Sequence, residues 1–393
     1  MANRLRKLAV IALSVAALGS MLTIEQAQGS DGGGGVASRA ESLQGAAFAM
    51  TNETEGNRII TYRRAANGAL DRVGSISTRG RGIGTDLDTQ SGLELSPDHR
   101  LLYAVNAGSD EITVFSVNGP QLTFLQKVYA GDEPNSLTMH NNLLYVLNGS
   151  VAGNGIRGFR IATDGRLTPL KGSVRLLSSP IAVPGEVQFS PDGRALLVTQ
   201  KTTNVLLSPQ NAIDVFKVKS NGFASSLPKR VASHGLRPFS LAFRPDGRLV
   251  VVESFNAAPG ASALSSYRLT SEGKLSVISG SVPNHQTDTC WVVITEDGRH
   301  VFTANFGSGT VSSYSFSATG RVRLIDGNVA FLGLLSQPVD LALSEDSRYL
   351  YLLLRGTGGV ASFRIQEDGS LESLGVVTGG LPIADGASGL AAF

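Results

Sequence analysis

Cysteine and tryptophan are almost absent: 393 residues contain one of each, the neighbours Cys290 and Trp291. A single thiol excludes an intramolecular disulfide framework and any zinc site built on several cysteines. Cys290 reads as a buried, inert thiol rather than a nucleophile. Net charge is also scarce. The formal +2 belongs to residues 1–29, where Arg4, Arg6 and Lys7 face Glu25; without them the body is neutral. A neutral body gives no electrostatic reason to expect nucleic acid or an anionic membrane as partner. The histidines number five and form no tight cluster with acids, so no metal is expected. No glycine-rich phosphate loop precedes a helix and no Gly-x-Ser-x-Gly elbow occurs, so no cofactor is expected.

The N-terminus has the pattern of an export signal. Arg4, Arg6 and Lys7 precede an apolar stretch from Leu8 to Leu22, and Ala27-Gln28-Gly29 offers small residues for cleavage. At about 1.5 Å per residue the stretch falls short of a bilayer core of roughly 30 Å. The domain expectation is therefore a signal over 1–29, a flexible linker over 30–44 carrying Gly32 to Gly35, and a folded body over 45–393. The mature protein is expected in the periplasm or secreted, off the membrane, as a monomer.

The body is rich in glycine, 46 residues in all, and repetitive. One turn recurs as Ser96-Pro97-Asp98-His99-Arg100, Ser190-Pro191-Asp192-Gly193-Arg194, Arg244-Pro245-Asp246-Gly247-Arg248, Thr295-Glu296-Asp297-Gly298-Arg299 and Ser344-Glu345-Asp346-Ser347-Arg348. Alternating apolar strands follow, such as Tyr103-Ala104-Val105-Asn106 leading to Ile112-Thr113-Val114-Phe115. A second turn recurs at Gly68, Gly119, Gly165, Gly222, Gly273, Gly320 and Gly369, where a hairpin needs positive φ. Seven units, each with four short strands and about 50 residues, predict an all-β, seven-bladed β-propeller. With one tryptophan, it is not the tryptophan–aspartate type. The last residues, Ser388 to Phe393, read as an inner strand, and the first unit lacks one. The C-terminal strand is expected to complete the first blade and remove both open sheet edges.

Aligning the inner strands gives one equivalent position per blade: Gly92, Ser136, Glu186, Ser240, Trp291, Asp340 and Gly389. These face the channel near its mouth, beside the loops between second and third strands. Two such loops, Gln200 to Ala212 and Glu253 to Ala263, are long and adjacent, so the mouth is asymmetric. Glu186 and Asp340 are the candidate acid–base groups, since a desolvated funnel tunes carboxyl pKa values. Arg237, Trp291, His285, Arg355, Lys201 and Glu253 are the candidate substrate-binding residues, with His234 and Asp288 nearby. Asn106, Asn148 and Asn305, at the ends of second strands, read as turn formers.

The runs Val187-Gln188-Phe189-Ser190-Pro191-Asp192-Gly193-Arg194, Ala258 to Tyr267 and Cys290-Trp291-Val292-Val293 resemble the lactonase family of seven-bladed propellers, which includes 6-phosphogluconolactonase and the 3-carboxy-cis,cis-muconate lactonizing enzyme. The asparagine-ended strands also resemble the tyrosine-valine-threonine-asparagine repeats of exported propellers. The family resemblance implies lactone chemistry by His, Arg and Glu in the channel mouth. The matching stretches here, Pro134-Asn135-Ser136 and Pro184-Gly185-Glu186, contain no histidine, and Glu186 alone fits in type and place. Two functions follow as expectations: hydrolysis or cyclisation of a lactone or organic acid, or non-catalytic binding of a small molecule or protein at the same mouth.

Overall fold

The repeated aspartate turn is a hydrogen-bonded device. Asp98 accepts from the Ser96 hydroxyl (2.6 Å) and the Arg100 amide (3.2 Å). Asp192 accepts from Ser190 and Arg194, and Asp346 from Ser344 and Arg348, at nearly the same distances. The Ser96 hydroxyl holds the Asp98 carboxyl below the usual carboxylate range. The glycine turns explain themselves in the same way. Gly68, Gly165, Gly222, Gly320 and Gly369 have φ between +82° and +91°. Each of their carbonyls is bound by the blade before it: Tyr103 reaches Gly165 (3.1 Å), Tyr145 reaches Gly222 (2.8 Å) and Tyr351 reaches Gly68 (2.9 Å). Ser266 and Ser313 do the same for Gly320 and Gly369. The turn spacing legible in the sequence is thus also the blade-to-blade stitching.

The computed structural model describes residues 45–150, 153–179, 181–201 and 211–393. The expected leader and linker, residues 1–44, lie outside them. The described chain forms seven antiparallel sheets in a ring. We number the blades 1 to 7 in chain order. Their inner strands are Leu390–Ala392, Leu93–Leu95, Pro134–His140, Pro184–Phe189, Pro238–Phe243, Thr289–Ile294 and Pro338–Leu343. Each touches the next around the ring, from blade 7 through blade 1 to blade 2. Blade 1 is closed as expected: Leu390–Ala392 pairs with Ala46–Met50, with Ala49 opposite Leu390 and Ala47 opposite Ala392. Each blade has four antiparallel strands, except blade 3, where Arg175–Leu176 adds a short fifth. The core lies between blade faces, where Tyr62, Phe239, Trp291, Tyr314 and Tyr351 are buried in one cluster.

Two of the three strand-ending asparagines correct their expected role. Asn106 and Asn305 are fully buried hubs, not turn formers. Asn106 accepts from Thr78 (2.6 Å) and Asn57 (3.1 Å) and donates to Thr113 (2.9 Å). Asn305 repeats this with Thr289, Asn284 and Ser312. A primary amide satisfies both donors and acceptors at once, which is what a gap between buried strands requires.

Candidate functional site

Proline opens the inner strands of blades 3, 4, 5 and 7, a place where its missing amide breaks no ladder bond. Just after it, pairing slips: between Pro134 and Ser136, Pro184 and Val187, Pro238 and Leu241, Pro338 and Leu341; blade 6 slips between Thr289 and Trp291. These bulges aim Ser136, Glu186, Ser240, Trp291 and Asp340 at the axis. A bulge also leaves an amide without a ladder partner, and the preceding blade supplies one. Ser136 accepts from Val187 N (3.2 Å), Glu186 from Leu241 N (2.7 Å) and Asp340 from Gly389 N (2.7 Å). The two carboxyls are buried, Glu186 at 0% and Asp340 at 2% exposure. Burial pushes Asp340 up to about 7 and Glu186 well above the carboxylate range.

What buries them is a segment of which the ring alignment singled out only the last residue, Gly92. The connection from blade 1 to blade 2, residues 78–92, is the longest between successive blades, and its second half enters the channel. It touches every other blade. Asn52 of blade 1 donates to the Thr85 carbonyl (2.7 Å). In blade 3, Thr89 donates to the Asn135 carbonyl (2.7 Å) and Leu137 N to the Ser91 carbonyl (2.7 Å). Ser91 Oγ donates to Glu186 Oε1 (3.2 Å), and the Ser91 amide binds Asp340. In blade 6, the Trp291 indole donates to the Thr89 carbonyl (3.1 Å), while the Gln90 amide group bonds both N and O of Val292 (2.9 Å each). Residues 84–92 are a plug.

Three cations from three blades converge on the plug. Lys201 Nζ of blade 4, with 1% of its side chain exposed, lies 2.7 Å from Asp88 Oδ2 and also binds the Asp88 carbonyl. Arg237 of blade 5 reaches Asp88 (3.4 Å) and Asp288 (3.5 Å). Arg355 of blade 7 pairs with Asp86 (2.9 Å). Phe239 lies under Lys201, 4.0 Å from Nζ to the ring centre. Burial lowers the Lys201 pKa, and Asp88 opposes that shift. The Nε atoms of Arg237 and Arg355 are buried and bind nothing among the described residues. The mouth therefore holds more donors than the plug's acids use.

The structure brings Glu186, Asp340, Trp291, Lys201, Arg237 and Arg355 together around the plug. It leaves Glu253 and His285 out. Glu253 is turned into its own blade, accepting from Gly235 N (2.8 Å), Ser265 (2.5 Å) and Ser281 (2.7 Å), because the buried hairpin amide and hydroxyls need an acceptor. Ser281 links it to the exposed His234 ring (2.9 Å). His285 is exposed on the rim with positive φ. Most of the long loop of blade 4 lies outside the described residues. Cys290 is buried, donates to Asp288 (3.3 Å), and its thiol is pushed well up by burial. Asp86, Asp88, Gln90 and Ser91 were not among the candidates, since they sit in a connection rather than on an aligned strand. The unusual length of that connection was the available signal.

The family model "Lactonase, 7-bladed beta-propeller" matches residues 45–183 and 254–333. A 6-phosphogluconolactonase of Yersinia enterocolitica is 24% identical, the match covering 56% of this chain and 78% of the relative. A solved protein from Lactobacillus plantarum has a TM-score of 0.69 at 17% identity, covering 89% of this chain and 99% of its own. The periplasmic gluconolactonase of Pseudomonas aeruginosa has a TM-score of 0.65 at 18% identity, covering 88% and 98%. At these identities the structural likeness concerns the fold.

Proposed function

The chain belongs to the lactonase family of seven-bladed β-propellers, and from that premise we propose that it hydrolyses a lactone at the channel mouth. The observation that carries the reading is the convergence of Lys201, Arg237 and Arg355 on a segment whose Ser91 also contacts two buried carboxyls, both pushed up by burial. Opening a lactone needs a water made nucleophilic, a carbonyl oxygen stabilised as it gains charge, and a proton for the departing alkoxide. Asp340, poised near 7, takes the proton from water. Glu186, whose carboxyl burial pushes well above the usual range and so toward the protonated form, delivers a proton to the ring oxygen. Lys201 and the guanidinium groups stabilise the oxyanion and orient an acidic substituent. Water adds to the carbonyl carbon, the carbon–oxygen ring bond breaks, and a hydroxy acid leaves.

The reading includes export to the periplasm or beyond, supported by the leader pattern over residues 1–29, and action as a monomer on a small molecule. One observation favours a second reading, a propeller that binds without turnover. Both carboxyls already accept backbone amides from the neighbouring blade, a role that needs no chemistry. A panel of γ- and δ-lactones, with and without phosphate or carboxylate groups, separates the two. Hydrolysis should rise with pH through about 7 and fall roughly 10²–10⁴-fold in Asp340→Asn or Glu186→Gln. No turnover of any lactone, or turnover indifferent to both substitutions, leaves the binding reading.

A further inference from the structure

The plug is held by charge, and the charge decides what can move it. Lys201 is buried almost completely, and Arg237 and Arg355 each expose 17% of their side chains. Withdrawing Asp86 and Asp88 into solvent would leave the buried Lys201 and the largely buried Arg355 without their anions and Arg237 with Asp288 alone, which is unfavourable. Water alone therefore does not open the mouth. The closed segment is not relaxed either: Asp88 and Ser91 sit at φ of +53° and +64°, a region that residues with a Cβ avoid. The two unpaired Nε atoms show that the guanidinium groups can donate more hydrogen bonds than the plug accepts.

We propose that residues 84–92 are an internal ligand of the mouth, in which Asp86 and Asp88 hold the place of two anionic groups, and that a small dianion binds by exchanging with them. Exchange conserves the charge around Lys201, Arg237 and Arg355, whereas a neutral ligand cannot replace what it displaces. The movement carries Ser91 away from Glu186 and Asp340, uncovering both acids. Substrates with two anionic groups are thereby admitted and neutral lactones excluded. This selectivity rests on the lactonase reading for its consequence, but the exchange itself is independent of turnover.

The protein supplies its own reporter. Trp291 is the one tryptophan in the chain, and its indole is bonded to the plug at Thr89. Glutarate, with its neutral diamide as control, is titrated into the full-length mature protein at constant ionic strength. Tryptophan emission and hydrogen exchange of amides 84–92 are followed together. Glutarate should shift the emission saturably and accelerate exchange in 84–92, and the diamide should do neither. Arg355→Gln should weaken glutarate about tenfold, by loss of one charged partner. Asp86→Asn, which loosens the plug, should tighten it several-fold. Wild-type measurements decide the matter if either variant fails to fold. Absence of glutarate binding, binding with the plug amides unchanged, or an equal response to the diamide each overturns the proposal. Lactone turnover with a closed plug would sink the exchange and leave the hydrolase standing; exchange without turnover would do the reverse.

Discussion

Ring closure rests on three residues, so shortening one of them should be felt throughout the molecule. Leu390 is 6% exposed and packs in the largest core cluster, on the strand Leu390–Ala392 that completes blade 1. Leu390→Ala removes buried methylene and methyl groups and leaves a cavity, which costs about 2–5 kcal/mol. The lower half of that range is favoured, because flanking backbone bonds, Met50 N to Gly389 O and Phe393 N to Ala46 O (both 3.0 Å), remain to hold the strand. Taking about 3 kcal/mol, and a urea dependence of about 3 kcal/mol per M for a chain of this size, the midpoint should fall by roughly 1 M. The assay is urea unfolding followed by far-UV circular dichroism and by Trp291 fluorescence. Trp291 is in blade 6 and Leu390 in blade 1, so coincident displacement of both transitions tests cooperation around the ring. A midpoint shift below about 0.2 M, or a displaced dichroism curve with an unmoved fluorescence curve, would refute the claim that the C-terminal strand locks the whole ring.

Two further outcomes concern pH. The folded state holds the Asp340 proton up to about 7, whereas the unfolded chain releases it near the usual aspartate value, so this carboxyl's contribution is intact below about pH 4 and declines as pH rises through 7. Asp340→Asn should therefore gain thermal stability relative to wild type between pH 5 and 8, checked by differential scanning calorimetry across that window. Asp246 behaves oppositely: partial burial raises its pKa, but bonds from Arg244 and Arg248 outweigh it and hold the carboxyl at about 2. Its stabilisation is present above about pH 4 and lost as pH falls through 2, so the melting-temperature gap between wild type and Asp246→Asn should close over that interval.

The propeller was legible because its determinants are local and repeat. The Ser96-Pro97-Asp98 turn bonds within five residues, and Gly165 or Gly222 needs positive φ whatever lies around it. Register followed too, since alignment to those turns placed Glu186, Trp291 and Asp340 on one ring. Burial did not follow. A ring of axis-facing residues can line water or be sealed, and here residues 84–92, far away in sequence, seal it. Glu253 shows the same limit: its position at the end of a second strand suggested the mouth, but Ser265 and Ser281 draw its carboxyl inward.

The sequence by itself determined the blade count, the closing strand and the family, because turn chemistry and strand alternation act over a few residues and are written in order. Only the tertiary structure decided which charges meet. Lys201, Arg237 and Arg355 come from three blades, and Asp86 and Asp88 from the connection into a fourth. Their pairing depends on a channel narrow enough to bring them within a few ångströms, around a Lys201 too deeply buried to remain unpaired.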